Sequence, residues 1–247
     1  MFGKEWTSEY YDVMEFYYWE PQHLGKIKNP KSQYSNQLKS LEHIQNMEVS
    51  LNHMFNVFFR LAPSHFTNTL LNKFCNTSIG DQFFMQGRYD IRRFSQLVQP
   101  DLLFTSDSAN FSIEMKIGAK SSLEQVYKYA LLHWLEQEYS GIKKKSILLY
   151  IGKNDLQSLW VDKFENPIDV INSAIELDIS NLKNKGLKVE NIDIDWDEVK
   201  NILSNTIIGH CNYSEFSQLL SNNKDNNEVT GKLFNGLISE LDRRGIA

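Results

Sequence analysis

Cysteine is scarce in these 247 residues: only Cys75 and Cys211 occur, far apart and in no CxxC pair. Two such residues support neither a disulfide framework nor a zinc site, and a reducing, cytoplasmic setting is expected. No stretch approaches the roughly 20 apolar residues a membrane span requires, and the opening MFGKEWTSEYYDV lacks the apolar core of a signal peptide. Positive charge is also short. Against 26 Lys and Arg stand 31 Asp and Glu, a net charge of −5, which disfavours a protein that coats nucleic acid without sequence preference. An enzyme acting on nucleic acid remains allowed, because it needs cations only where phosphates lie. Neither GxxxxGK[ST] nor GxGxxG occurs, so no nucleotide-driven motor is expected. The histidines (His23, His43, His53, His65, His133, His210) form no HxH or HExxH pair and read as structural or surface residues. No nucleophile elbow and no internal repeat is present.

What is there can fill a core: 41% of the residues are hydrophobic and 13% aromatic, enough for one sizeable α/β domain. Residues 1–34 form an aromatic-rich segment (Trp6, Tyr10, Tyr11, Phe16, Tyr17, Tyr18, Trp19) that ends in a polar connector. It reads as a docking helix and its linker, a base-stacking platform being the alternative. Residues 35–153 read as the core. A helix is predicted from about Ser35 to Ala62, with Leu51, Met54, Phe55 and Phe58 as its apolar stripe, and a second over Phe66–Phe74. Short β-type runs follow at Leu97–Phe104 and Phe111–Ile117, joined by the turn residues TSDSAN, so a hairpin is expected. Ser121 or Ser122 can cap a helix reaching about Glu138, with Leu123, Val126, Tyr127, Ala130, Leu131 and Trp134 buried. The apolar run Ser146–Gly152 reads as a buried strand. Residues 154–247 are expected to be mainly helical, around Ile168–Leu177, after IDIDWDEV, and through VTGKLFNGLISELDRRG.

The hairpin carries the chemistry. Side chains alternate along a strand, so Phe111, Ile113, Met115 and Ile117 point into the core while Ser112, Glu114 and Lys116 point the other way together. Asp101 interrupts the apolar run LVQPDLLF, where a lone carboxylate is costly and a cation would stabilise it. Folding the hairpin brings Asp101 back towards Glu114. On the next helix Gln125 and Tyr129, four residues apart, lie off the apolar stripe. Two carboxylates and an ammonium suit phosphodiester hydrolysis. Mg²⁺ takes hard oxygen ligands and keeps several waters, and two carboxylates with a substrate phosphate complete its shell. Such an ion acts as Lewis acid and acidifies a bound water. Lys116 orients that water and stabilises the transition-state charge, since carboxylate neighbours keep the ammonium protonated.

At these positions the chain resembles the PD-(D/E)XK nuclease superfamily. Pro100-Asp101 supplies the PD, and Glu114-Met115-Lys116 the (D/E)XK, with 12 residues between the acids. Gln125 to Tyr129 is similar to the QxxxY motif of RecB-like branches. The resemblance covers about residues 45–152 and implies a restriction-endonuclease-like α/β core, a mixed central sheet flanked by helices. It also implies metal ligation by Asp101, Glu114 and the Met115 carbonyl, with Glu48 as a further ligand and Glu42 its weaker substitute. Lys116 would be catalytic, with Gln125 and Tyr129 supporting the site. The expected cofactor is Mg²⁺, with Mn²⁺ as substitute. Arg88, Arg92, Arg93, Lys120 and Lys128 are the expected phosphate contacts, and Lys143–Lys145 are a further basic group. The expected function is a DNA endonuclease of defence, restriction or repair, acting alone, as a homodimer or with a partner subunit. A nuclease-fold binding or regulatory subunit without activity is the alternative.

Overall fold

The computed structural model describes residues 5–19, 45–46, 48–86, 100–153, 155–180, 193–224 and 227–247. They divide into two units, residues 1–62 with 217–247, and residues 63–216.

The second unit is built on a five-stranded mixed sheet in which chain order is also spatial order. Its strands are β1 (Phe84–Met85), β2 (Leu102–Thr105), β3 (Ala109–Lys116), β4 (Lys145–Gly152) and β5 (Ile207–Asn212). β1, β2 and β3 pair antiparallel, whereas β3, β4 and β5 run parallel. The parallel step between β3 and β4 requires a crossover, which the helix α4 (Leu123–Ser140) supplies. Ser122 caps α4 by accepting from the Gln125 N–H, and Gly141 ends it in the left-handed region at φ 67°. Apolar β4 is buried from Ser146 to Gly152, as expected of an interior strand covered on both faces.

Helices cover both faces. On the Ser112 and Glu114 side, α4 packs with α6 (Pro167–Ile175) and α7 (Trp196–Ser204); the four-residue α5 (Leu156–Leu159) adds Leu159 to this core. On the other side Phe111 stacks on Phe104 with ring centroids 5.4 Å apart, and the helix α3 (Ser64–Phe74) closes over β5. A Cβ on Gly209 of β5 would lie 2.5 Å from both the Phe74 carbonyl oxygen and Cys75 Sγ. Only glycine lets that helix end approach so closely.

In the first unit, α1 (Trp6–Trp19), α2 (Glu48–Leu61) and α9 (Glu228–Arg243) pack together, and α8 (Tyr213–Asn223) spans the division between the units. The α2 stripe Leu51, Met54, Phe55 and Phe58 is fully buried, with Phe58 set edge-on against Phe234 at 5.0 Å. Trp6 donates to the Leu233 carbonyl at 3.0 Å, lying over Gly236, where any Cβ would come within 2.1 Å of its indole nitrogen. Among the described residues no helix is long and apolar enough to cross a membrane.

Two features differ from the sequence reading. The C-terminal region read as helical also contributes β5. Its segment IIGHCN is short and broken by Gly209, so strand periodicity is masked by a residue the packing demands. The polar face of β3 is not solvated either. Ser112 is fully buried and Glu114 is 5% exposed, because α4 lies directly over them. Of the predicted first helix, Glu48–Leu61 is observed; residues 35–44 and Leu97–Gln99 lie outside the described residues.

Candidate active site

Strand register brings the acids together. β2 and β3 pair Leu102 with Ile113, and one further step sets Asp101 across from Glu114. Asp101 Oδ2 accepts the Met115 backbone N–H at 2.7 Å, which fixes the PD turn against the strand bearing Glu114. Both carboxylates also act on one hydroxyl: burial, then Glu114, then Asp101 push the Tyr129 phenol well above its ordinary value.

Glu114 is held from three directions. Gln125 Nε2 donates to Oε1 at 2.6 Å, and Lys116 Nζ lies 2.6 Å from the same oxygen. The Tyr129 hydroxyl donates to Oε2. The QxxxY spacing explains the convergence, because residues four apart on a helix face one way and here both reach a single strand residue. An ionised carboxylate offers about four acceptor positions. Among the described residues three are taken and one, on Oε2, is left.

The sheet-facing side of α4 was not foreseen as buried. Its apolar stripe packs towards α6 and α7, while a polar column of Gln125, Tyr129, His133 and Gln137 faces the strands. One turn beyond Tyr129, His133 Nε2 lies 2.8 Å from Ser112 Oγ and Nδ1 lies 2.6 Å from Ser146 Oγ. Burial depresses the His133 pKa to about 3, so the ring is neutral at physiological pH. Tyr150 sits beside Glu114 in the register, fully buried, its phenol pKa raised by burial and then by the Glu114 charge. Sequence reasoning missed Ser112, His133, Ser146 and Tyr150 as a group. The spacing Gln125, Tyr129, His133, Gln137 was the signal that could have revealed them.

Of the remaining expected residues, Lys120 is exposed at the head of α4, and Lys128 pairs with Glu124 on its own helix at 2.7 Å. Arg88, Arg92, Arg93 and Glu42 lie outside the described residues. Glu48 opens α2 in the first unit. Lys143–Lys145 lie at the start of β4, whereas Lys116 aligns with Gly152 at its end. Seven steps along a strand separate these ends by roughly 23 Å. Lys143 pairs with Glu198, and Lys144 donates to Thr105 Oγ1 at 2.9 Å, so this basic run serves the opposite edge of the sheet.

Among the described residues no group of three or more His, Cys, Asp and Glu side chains is arranged to hold a metal. Two carboxylates are nevertheless an adequate protein share for Mg²⁺, which commonly takes one or two along with waters and substrate phosphate. The donor set is oxygen throughout, and Glu114 retains one acceptor position. These residues fit a hard divalent ion. No protein-family model, curated protein or solved structure matches the chain.

Proposed function

We propose that the chain is a divalent-metal-dependent phosphodiesterase, most simply a DNA endonuclease of defence, restriction or repair. The observation carrying this reading is that Lys116, Gln125 and Tyr129 converge on Glu114 while Asp101 lies opposite it. A carboxylate engaged only in structural pairing has no use for a second acid beside it, since like charges in a low-dielectric site repel.

Asp101 and Glu114, with the Met115 carbonyl, would hold Mg²⁺ or Mn²⁺. When bound, the ion supplies Lewis acidity and a more acidic water. The residues divide the remaining work. Gln125 and Tyr129 hold the Glu114 carboxylate in one orientation, so that no reorganisation is needed as charge develops. The Met115 N–H does the same for Asp101. Lys116, 14% exposed, can swing from Glu114 towards a phosphate oxygen and stabilise its growing negative charge. Lys120, which is exposed, would contact the flanking backbone.

The test is nicking of supercoiled plasmid in Mg²⁺ or Mn²⁺. Activity is expected in the wild type and is expected to be abolished by EDTA and by Lys116→Ala, with the far-UV spectrum unchanged. A well-folded wild type that leaves plasmid intact in either metal defeats the reading. One observation favours a second reading, a binding subunit without catalysis: Lys116 neutralises part of the charge a metal would need. That subunit would retain DNA in EDTA and cleave nothing.

A further inference from the structure

Glu114 can serve as described only if α4 sits at one height and one rotation above β3. Gln125 and Tyr129 reach it from that helix, and a slip of one residue would rotate them by about 100°. The Ser122 cap fixes the start of α4 beside Gln125, but the turn that carries Tyr129 lies further along, and the apolar contacts with α6 and α7 lack directionality. A directional lock lies one rung further along the same pair of elements.

We propose that His133 is a positioning residue, which locks α4 to β3 and β4 so that Gln125 and Tyr129 meet Glu114. Ser112 precedes Glu114 by two residues on the same face of β3, and His133 follows Tyr129 by four on the same face of α4. Two strand residues span roughly 6.7 Å and four helix residues about 6 Å, so the rungs Glu114–Tyr129 and Ser112–His133 are commensurate. The second rung continues beyond β3. Ser146 on β4 meets His133 Nδ1 at 2.6 Å and Thr206 Oγ1 at 2.9 Å, and Thr206 reaches the Ile202 carbonyl at 2.8 Å.

One arrangement of protons satisfies this whole chain. A carbonyl only accepts, so the single Thr206 proton goes to Ile202. Ser146 then donates to Thr206, His133 Nδ1–H donates to Ser146, and Nε2 accepts from the Ser112 hydroxyl. Every member is used in a fixed direction, and rotating the ring or sliding the helix breaks at least two bonds. A leucine would fill the same place in an apolar surrounding without a buried ring to desolvate. The ring is neutral, and the bonds it makes are to hydroxyls remote from solvent, so neither charge pairing nor proton transfer to substrate accounts for it. Specification of register does.

The positioning of Glu114 stands on geometry alone; its consequence for hydrolysis rests on the phosphodiesterase reading. The test uses the full chain carrying Ser112→Ala, His133→Leu and Ser146→Ala together. Replacing all partners by apolar groups is close to neutral for stability, whereas removing one leaves the others unsatisfied. The first readout is the Tyr129 hydroxyl proton by NMR, a downfield, exchange-protected resonance assigned through its loss in Tyr129→Phe. The second is plasmid nicking. In the triple variant the resonance is expected to move upfield or exchange into water, and nicking to fall by about 10- to 100-fold. A folded triple variant that keeps the wild-type Tyr129 resonance overturns the proposal. Should the triple variant not fold, Ser112→Ala with Ser146→Ala removes both bonds of the ring while keeping His133 itself, and an unmoved resonance there has the same force. If the wild type does not nick, the resonance still decides the positioning claim, and only the proposed function is lost.

Discussion

Glu240 in the first unit and Glu114 in the second are both buried carboxylates held by a tyrosine and by basic side chains. Glu240, 2% exposed, accepts from the Tyr11 hydroxyl at 2.5 Å, from Arg244 Nε at 2.6 Å and from Arg243 at 2.8 and 2.9 Å. One acid there faces two guanidinium groups. Around Glu114 a second acid, Asp101, lies opposite in the strand register, and Lys116 pairs with the Glu114 carboxylate. The first cluster is saturated and clasps α1 to α9. The second sets two acids beside one another within a framework of Gln125, Tyr129 and Lys116. Similar ingredients form a rivet in one unit and, on the proposed function, a cation site in the other.

The comparison breaks most directly at Glu240. Glu240→Ala leaves Arg243 and the buried Arg244 without their carboxylate and is expected to cost about 3–5 kcal/mol in urea denaturation of the full chain. A loss under about 1 kcal/mol would show that the clasp is not one.

Acid should separate the two clusters next. His133 has its pKa lowered to about 3, so between its unfolded value of about 6.5 and 3 the unfolded chain binds a proton that the folded chain refuses. Its contribution is intact above 6.5 and is lost as pH falls, by about 2 kcal/mol from pH 7 to pH 5. Burial raises the Glu240 pKa, but bonds from Arg243, Tyr11 and Arg244 outweigh it and hold the group below its ordinary value. Its contribution is present above about 4.3 and disappears only below that. Urea curves at pH 7 and pH 5 should therefore differ, and His133→Asn should remove most of that difference.

A smaller effect concerns Lys116. Removing the ammonium that pairs with Glu114 should tighten Mn²⁺ binding, followed by electron paramagnetic resonance, by about tenfold (1.4 kcal/mol) in Lys116→Met. Equal or weaker binding would show that the ammonium does not compete with an ion for that carboxylate. Smallest of all, Glu114→Gln relieves repulsion with Asp101 as it loses the Lys116 pair. It should change stability by less than about 1 kcal/mol while eliminating nicking.

Much of this was legible in the chain. The PD turn, the ExK alternation and the QxxxY spacing are local patterns, and local periodicity placed Asp101, Glu114, Lys116, Gln125 and Tyr129 on elements that do meet. What stayed hidden depends on partners distant in sequence. Gly209 reads as a strand breaker until Phe74 and Cys75 are seen pressed against it. Ser146 reads as the polar edge of an apolar run until Thr206 and His133 meet it. Lys143–Lys145 read as a basic patch near the acids because they adjoin an interior strand, but strand direction carries them to the far edge.

Strand direction has a further implication. Because β3, β4 and β5 run parallel and pair through Lys116, Gly152 and Asn212, the segments that leave β4 and β5 emerge on the same rim as the acids. β5 runs straight into α8, whereas β4 leaves through a loop, and lengthening or recharging that loop would change what can reach the carboxylates without disturbing a single rung of the framework beneath. On the proposed function, selectivity and chemistry would then be separable, and a descendant could change its target while inheriting its machinery intact.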